Sequence, residues 1–354
     1  IENKSTAQYH IGYAIDNNST STDAVVNIYG GKVTASGSLY YDGIRQFCNS
    51  ETKENSVVVD GGEVSTIWMQ NPSDGATKNT KDVKGSIAIY GGKVGVLSLE
   101  PSANFEAAVT GGHVGEISYF QTAAGRDLVE FVTGGTFDKK FGEAFLAMGY
   151  QLTGDTAPYK AEYTGKREAL TIVDGQYTEF VNEKEIEIGT LTYQRTLATV
   201  GQWQPLFVPF EIPVATLKEM GYEVAFFYDV HFKVLTGGEI DPTSAPDVHL
   251  IKIKEGTLKA NYPYVIRAKE NAELTLVLNN VVLHTTDANA MNSVESGSTL
   301  NRFIFAGNYI RSNRAELTGD DDIPCYWITK SGAMKKMAST NYLGAFRVFM
   351  YIVA

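Results

Sequence analysis

The fold is decided by a short stretch, Val26-Asn27-Ile28-Tyr29-Gly30-Gly31-Lys32-Val33, which recurs through the first half of the chain. Apolar residues alternate before the two glycines, as in a strand with one buried face. Glycine tolerates positive φ, so each pair allows the chain to turn a tight corner. Each copy is therefore expected to form a strand, a corner and a second strand. The later pairs are Gly61-Gly62, Gly91-Gly92, Gly111-Gly112 and Gly134-Gly135.

The copies follow one another at short intervals. Their first glycines lie at positions 30, 61, 91, 111 and 134, in steps of 31, 30, 20 and 23 residues. A short period indicates stacked structural units, and about 20 residues suit one coil of a solenoid, whereas a propeller blade needs about 40. We predict a right-handed parallel β-helix, or solenoid, over residues 1–165, with a β-sandwich as the open alternative. Gly91 and Gly111 are expected to need positive φ, which a β-branched residue resists.

A helical cap is expected at the end of the solenoid. Four apolar residues recur at helical spacing, namely Phe141, Ala144, Phe145 and Met148. This pattern predicts a short amphipathic helix that covers the open edge and core of the last coil. The domain boundary is predicted within residues 151–192. Residues 166–354 contain no glycine-pair repeat, and their short apolar runs between turn signals predict a β-sandwich-like domain.

Composition narrows the possible classes of protein. Of the 354 residues 43% are hydrophobic, and the chain has 34 Gly, 20 Tyr and 17 Phe, which is typical of an all-β fold. The formal net charge is −11 and no basic stripe occurs, which argues against nucleic acid as a partner. No apolar run approaches the roughly 18 residues of a membrane helix, so the chain is not expected to span a membrane.

Cysteine and histidine give no sign of a metal or a disulfide framework. The two cysteines, Cys48 and Cys325, lie in different halves of the chain. The five histidines do not have metal-ligand spacing, so no metal and no cofactor are expected. Because the sequence starts at Ile1, we expect that a signal peptide has been removed.

Two groups of residues resemble known modules. The glycine-pair coils followed by Gly134-Gly135-Thr136-Phe137 resemble solenoid modules of secreted bacterial surface proteins. The second half resembles a C-terminal β-domain that recurs in Bacteroides-type surface and secreted proteins. The stretches that carry this second resemblance are Tyr193-Gln194-Arg195-Thr196, Trp203, Val208-Pro209-Phe210, Tyr262-Pro263-Tyr264-Val265-Ile266, Phe305-Ala306-Gly307-Asn308-Tyr309 and Phe346-Arg347-Val348-Phe349. The resemblance implies an extracellular or cell-surface, adhesin-like protein and supplies no catalytic residues.

Candidate binding residues lie beside the glycine pairs. If the coils stack in register, equivalent outward residues form rows with a spacing of about 4.8 Å. Two rows flank the pairs: Tyr29, Asp60 and Tyr90 before them, and Lys32, Glu63, Lys93 and His113 after them. Aromatic rings offer apolar faces to sugars and charged groups bind hydroxyls, so this wall is a candidate glycan site. The structural alternative is that the charges of alternating sign pair across coils and that stacked tyrosines protect edges.

Trp68 is a further candidate binding residue. It aligns with Ser98 and Ser118, which indicates an outward position, and an exposed Trp suggests a binding surface. The alternative is that the loop Asn71–Lys84 folds over it.

A catalytic alternative uses Asp60, Glu63, Lys93 and His113 as acid and base groups of a polysaccharide lyase or glycoside hydrolase. Paired carboxylates about 5–10 Å apart serve glycoside hydrolysis. No clustered set of Asp residues supports that interpretation.

The sequence therefore favours a secreted or surface-attached, adhesin-like interaction protein without enzymatic activity. The expected partner is a host or dietary polysaccharide, or a surface protein. The enzyme and a purely structural spacer remain the alternatives. Aromatic residues of the second domain lie in dense apolar runs and are expected to be mostly core: Trp203, Phe207, Phe210, Tyr264 and Trp327. Binding is therefore predicted on the solenoid wall.

Overall fold

The protein is all-β and divides into two compact units, Ile1–Lys166 and Arg167–Ala354. The computed structural model describes residues 2–3, 13–35, 43–47, 50–70, 83–100, 104–119, 130–177, 179–237, 241, 244–286, 291–295, 302–320 and 322–353.

The first unit is built from one large sheet of largely parallel strands. A 3₁₀ turn, Glu143–Phe145, lies among them. The strands are β1 (Glu2–Asn3), β2 (Ile15–Asn17), β3 (Ala24–Ala35), β4 (Ile44–Phe47), β5 (Glu54–Gln70), β6 (Lys84–Leu99), β7 (Asn104–Val109), β8 (His113–Tyr119), β9 (Thr136–Phe137), β10 (Tyr150–Thr153) and β11 (Tyr159–Tyr163).

Successive copies of the repeat pair in parallel and in register. Strands β3, β5 and β6 lie side by side, and β6 then pairs with β7 along its first half and with β8 along its second half. The apolar residue after each glycine pair falls in one continuous row, and all of its members are buried: Val33, Val64, Val94, Val114 and Phe137. Each copy therefore buries the same position against its neighbours, as the repeat predicts.

The two glycines of a pair are required for different reasons. The second glycine has positive φ in every copy, for example +72° at Gly92 and +73° at Gly112. Gly91 and Gly111 do not share that conformation, so the expectation of positive φ at these two residues is wrong. They are constrained by space instead, because an added Cβ would lie 2.9 Å from the Asp60 carbonyl oxygen at Gly91 and would collide with the Tyr90 carbonyl oxygen at Gly111.

Buried amides complement the apolar interior of the first strands. Asn17, Gln46 and Asn55 are all buried. The Asn17 amide donates to the Gln46 side-chain oxygen over 2.7 Å and to the Ser56 carbonyl over 3.0 Å, and the Gln46 amide donates to the Asn55 carbonyl. These contacts join three strands, β2, β4 and β5, and satisfy polar groups that would be costly to bury alone.

No amphipathic helix caps the first unit in the described residues, which corrects the prediction for residues 138–148. The backbone amides of Asp138 and Lys139 bond the carbonyls of Val114 and Gly115, so these residues continue the contacts of β9 with β8 and do not start a helix. Phe141 and Phe145 nevertheless pack against the core. Past the 3₁₀ turn, β11 pairs antiparallel with both β9 and β10 and so covers the edge of β9.

In the second unit the described residues form short strands and two short helices. They are β12 (Lys166–Val173), β13 (Ile186–Thr196), β14 (Gln204–Leu206), β15 (Ile212–Pro213), α1 (Val214–Glu219), β16 (Tyr222–His231), β17 (Asp247–Ile253), β18 (Thr257–Leu258), β19 (Tyr264–Ala268), β20 (Glu273–Leu283), β21 (Met291–Glu295), β22 (Arg302–Asn308), β23 (Ser312–Asn313), α2 (Arg314–Thr318), β24 (Cys325–Ile328), β25 (Met334–Lys336), β26 (Tyr342–Leu343) and β27 (Arg347–Val353).

Three main sheets of the second unit pack in a sandwich-like manner. Their strand orders are β12-β13-β20, β14-β19-β16-β17 and β21-β22-β27-β24-β25. Aromatic pairs join them: Phe227 of β16 stacks on Phe305 of β22 with 3.9 Å between ring centroids, and Tyr193 of β13 meets Phe210 at 5.7 Å. Such pairs add to the free energy gained by burying their area.

A buried ionic network lies where β12 and β13 approach β27. The Asp174 side chain is fully buried and accepts from Arg347 Nη1 at 2.7 and 2.9 Å. Arg195 Nε lies 3.2 Å from its Oδ2, and the Tyr193 hydroxyl donates to the same oxygen over 3.0 Å. Burial, followed by the charge of Asp174, raises the pKa of Tyr193. A carboxylate removed from water in this way needs these partners, and the network links β12 and β13 to β27.

Replacing either glycine of a pair should destabilise the first unit. Gly111→Ala puts a methyl group against the Tyr90 carbonyl, and Gly112→Ala forces a side chain to adopt φ near +73°. Each should lower the free energy of unfolding by about 1–3 kcal/mol in urea denaturation of the full chain. Gly142→Ala is the matched control, because its φ is −62° and nothing lies within 4 Å of an added Cβ. An equal loss in the control would contradict the close-approach argument.

Candidate functional site

The row of charged residues after the glycine pairs forms as predicted. Strand register aligns Lys32 with Glu63, Glu63 with Lys93, and Lys93 with His113. Lys32 Nζ lies 3.2 Å from Glu63 Oε1, and both side chains are about half exposed, at 60% and 46%. This ion pair bears out the predicted pairing across coils, and at such exposure it contributes about 0–1 kcal/mol. Lys93 is exposed beside it.

His113 lies at the end of this row and makes two side-chain contacts. Its Nδ1 lies 3.0 Å from the Thr136 hydroxyl, and its Nε2 lies 3.2 Å from Asp138 Oδ2. The contact with Asp138 was not predicted from the sequence. Asp138 falls in the stretch predicted as a helix, so its place at the end of the row was not foreseen. Next to it, Lys139 Nζ lies 2.5 Å from Glu116 Oε2. The charges at this end of the wall are therefore largely paired.

The row before the glycine pairs carries two exposed rings. Tyr29 is 72% exposed and Tyr90 is 53% exposed, and Asp60 between them is also exposed. The ladder shifts by one residue at each corner, so that Tyr29 pairs with Gly61 and Asp60 with Gly91. The two tyrosines are two strands apart, which corresponds to about 9.5 Å at the usual strand spacing. The wall thus presents two aromatic faces with a carboxylate between them.

Trp68 does not belong to this exposed surface, which corrects the prediction of an outward binding residue. Its alignment with Ser98 and Ser118 is confirmed, but the side chain is only 7% exposed. The Tyr13 ring lies 6.1 Å from the indole, and the indole N–H donates to Glu100 Oε1 over 3.4 Å. Large neighbours on the same face therefore enclose a ring that an outward position alone would leave in water. Most of the loop suggested as its cover, residues 71–82, lies outside the described residues.

The two aromatic candidates should respond differently to truncation. Trp68→Ala removes a buried ring and should lower the free energy of unfolding by about 3–5 kcal/mol. Tyr90→Ala removes an exposed ring and should change it by less than about 0.5 kcal/mol. Thermal or urea denaturation of the two variants measures both values. A large loss for Tyr90→Ala would mean that its ring is packed, and would remove it from the candidate site.

Cys325 is a free, buried thiol. Burial raises the pKa of this thiol to about 12, and only the thiolate acts as a nucleophile. Cys325 is thus a core residue. Cys48 lies outside the described residues.

Cys325 should resist thiol reagents until the second unit unfolds. In a Cys48→Ser variant, which retains one of the two cysteines, a chromogenic disulfide reagent at pH 8 should leave native protein unmodified. The reason is that both burial and the raised pKa keep the thiolate scarce. In urea, one thiol per chain should react. Rapid labelling of native protein would show that the thiol is accessible.

Other types of site find little support among the described residues. No group of three or more His, Cys, Asp or Glu side chains is arranged there to hold a metal ion. Helices in that part of the chain are too short or too polar to cross a membrane.

Five aromatic residues of the second unit were expected to be mostly core, and three of them are buried. Phe207, Phe210 and Tyr264 are buried, whereas Trp203 and Trp327 are partly exposed. The Arg267 guanidinium lies over the Trp203 ring at 4.6 Å, which covers one face of that ring.

Comparison with known proteins assigns the chain to no family. No protein-family model matches the chain, and no curated protein or solved structure matches it either. Function is therefore argued from the chain's own residues.

Proposed function

We propose that this chain is a secreted or cell-surface interaction protein, adhesin-like, whose first unit is a right-handed parallel β-solenoid. In this proposal one wall of the solenoid binds an extended polysaccharide. Parallel, in-register pairing of successive copies of the repeat supports the solenoid. The resemblance of both halves to modules of bacterial surface proteins supports the location.

The exposure of Tyr29 and Tyr90 carries the proposed binding site. Large apolar residues that are more than half exposed contribute little to the core of this unit. A flat face of a tyrosine ring suits the C–H face of a sugar, and its hydroxyl can bond sugar hydroxyls. Because the rings recur with the coils, their spacing suits a polymer with a repeat of its own.

Polar residues near the two rings would orient the ligand. Asp60 lies between the tyrosines, and Lys93 and His113 follow in the adjacent row. Carboxylate and ammonium groups bind hydroxyls by charge-assisted hydrogen bonds. His113 is less available for this role, because both of its ring nitrogens already contact other side chains. Glu63 is less available as well, because its carboxylate already binds Lys32. This pairing also weakens the catalytic alternative, which needs Asp60 and Glu63 as an acid and a base.

A glycan array combined with turnover assays on the same polysaccharides tests the proposal. Binding without cleavage is expected. Release of products would favour a polysaccharide lyase or glycoside hydrolase instead, and silence in both assays would favour a structural spacer.

The site is tested by a double variant, Tyr29→Ala with Tyr90→Ala. It should weaken binding to any glycan identified on the array by about tenfold or more, because aromatic anchors dominate binding surfaces. The matched control is Tyr228→Ala with Tyr342→Ala, two tyrosines of the second unit with 60% and 50% exposure. Unchanged binding by the Tyr29 and Tyr90 variant would refute the wall as the site.

A further inference from the structure

A cleft of about 490 Å³ lies in the second unit, away from every residue used above. It runs between strand β20 and the small β15–β18 pair. Its volume is in the range of small-molecule sites. The residues that line it are Glu211, Pro213, Thr257, Leu278, Asn279, Asn280, Val281, Val282 and His284.

Strand β20 is locally distorted where it lines the cleft. Asn280 has φ of +53°, a left-handed conformation that costs asparagine less than other residues besides glycine. The antiparallel ladder between β13 and β20 keeps its register on both sides and omits the pair formed by Gly189 and Asn280. Gly189 has little room for a side chain, since an added Cβ would lie 2.7 Å from the Glu168 carbonyl oxygen.

The distortion brings two amides to one surface. Exposed and buried residues alternate along β20 as far as Leu278, and then both Asn279 and Asn280 are exposed. A regular strand would turn one of them away. The Thr190 hydroxyl donates to Asn279 Oδ1 over 3.3 Å and fixes one of the amides. The distorted backbone thus places two neighbouring side-chain amides at the cleft.

The charges around the cleft disfavour an anionic ligand. Glu211 is an exposed carboxylate on the rim of the cleft. His284 is held by a second carboxylate, since its Nδ1 lies 2.8 Å from Glu185 Oε1. Among the described lining residues there is no Lys or Arg. An anionic ligand would therefore meet a negative field.

We propose that this cleft binds an uncharged saccharide unit, independently of any ligand on the wall of the first unit. Amides donate and accept hydrogen bonds at once, as sugar hydroxyls do, and the Glu211 carboxylate accepts from two neighbouring hydroxyls. The Val281, Val282 and Pro213 side chains offer an apolar surface to the C–H groups of the sugar ring. Asn279 and Asn280 set the orientation of the ligand.

The test follows side-chain amide signals of the ¹⁵N-labelled full chain by NMR. The probes are glucose, galactose, mannose, fucose, N-acetylglucosamine and their β-linked and α-linked oligomers. At least one should shift the Asn279 and Asn280 amide signals in a saturable manner. No shift with any of these sugars would overturn the proposal. The control probe is a capped tetrapeptide made of Thr and Val. If this peptide shifts the Asn279 and Asn280 amide signals and no sugar does, the proposal is overturned and the cleft is assigned to peptide binding.

Two variants and a control locate the binding site. Asn280→Gly removes the amide and relieves the positive φ, so the fold should be kept. Glu211→Gln removes the charge and keeps the shape. Each should weaken binding about tenfold, the usual effect of losing a hydrogen bond to a charged or buried group. Glu270→Gln, an exposed carboxylate outside the cleft, should not. Equal affinity of all three variants would overturn the assignment.

The same NMR experiment tests whether the cleft binds sugar independently of the wall of the first unit. The Tyr29→Ala and Tyr90→Ala double variant should leave the sugar-induced shifts of Asn279 and Asn280 unchanged. Loss of these shifts in that variant would overturn the independence of the cleft.

Discussion

The close approach of main chains at the glycine pairs is the constraint on which the first unit depends. At Gly111 and Gly134 the space that a Cβ would need is occupied by a carbonyl group of the preceding copy. The second glycine of each pair then turns the chain with positive φ, near +73° at Gly62 and Gly112. The first position thus satisfies a steric requirement, and the second satisfies both a conformational and a steric one. An added Cβ at Gly62 or Gly92 would lie 2.7 Å from the main chain of the preceding pair. Together they hold each corner directly above the previous one.

Aligned corners determine what the flanking residues can do. Because the copies return to the same register after the corner, the buried row Val64, Val94 and Val114 is continuous, and so is the row of Glu63, Lys93 and His113 outside it. Charges of opposite sign in neighbouring strands pair where the row permits. The aromatic residues have no such partner row of their own kind, and they remain exposed. The strand register therefore produces the surface that is proposed above as the binding wall.

The repeat could be predicted from sequence because its signal is local: alternation, a glycine pair, and a short period. The errors came from contacts between distant residues. Trp68 has an outward register, and only the proximity of Tyr13 and Glu100 explains its burial. Residues 138–148 have a helical apolar pattern, but the backbone of Asp138 is held by Val114. The Asn279-Asn280 pair was missed because two adjacent asparagines look like a turn, whereas Gly189 on the neighbouring strand permits a distorted strand.

The residues that carry the resemblance of the second half are largely interior, and this limits what the resemblance can say about activity. Tyr193, Arg195 and Arg347 come from two of its stretches and meet at the buried Asp174. Gly307, from a third stretch, has no room for a side chain because the Phe207 ring fills that space. These residues serve the packing of the sheets and do not reach a ligand on the surface. A surface feature such as the exposed Asn279-Asn280 pair at the cleft is therefore a better guide to function here than the recognisable motif.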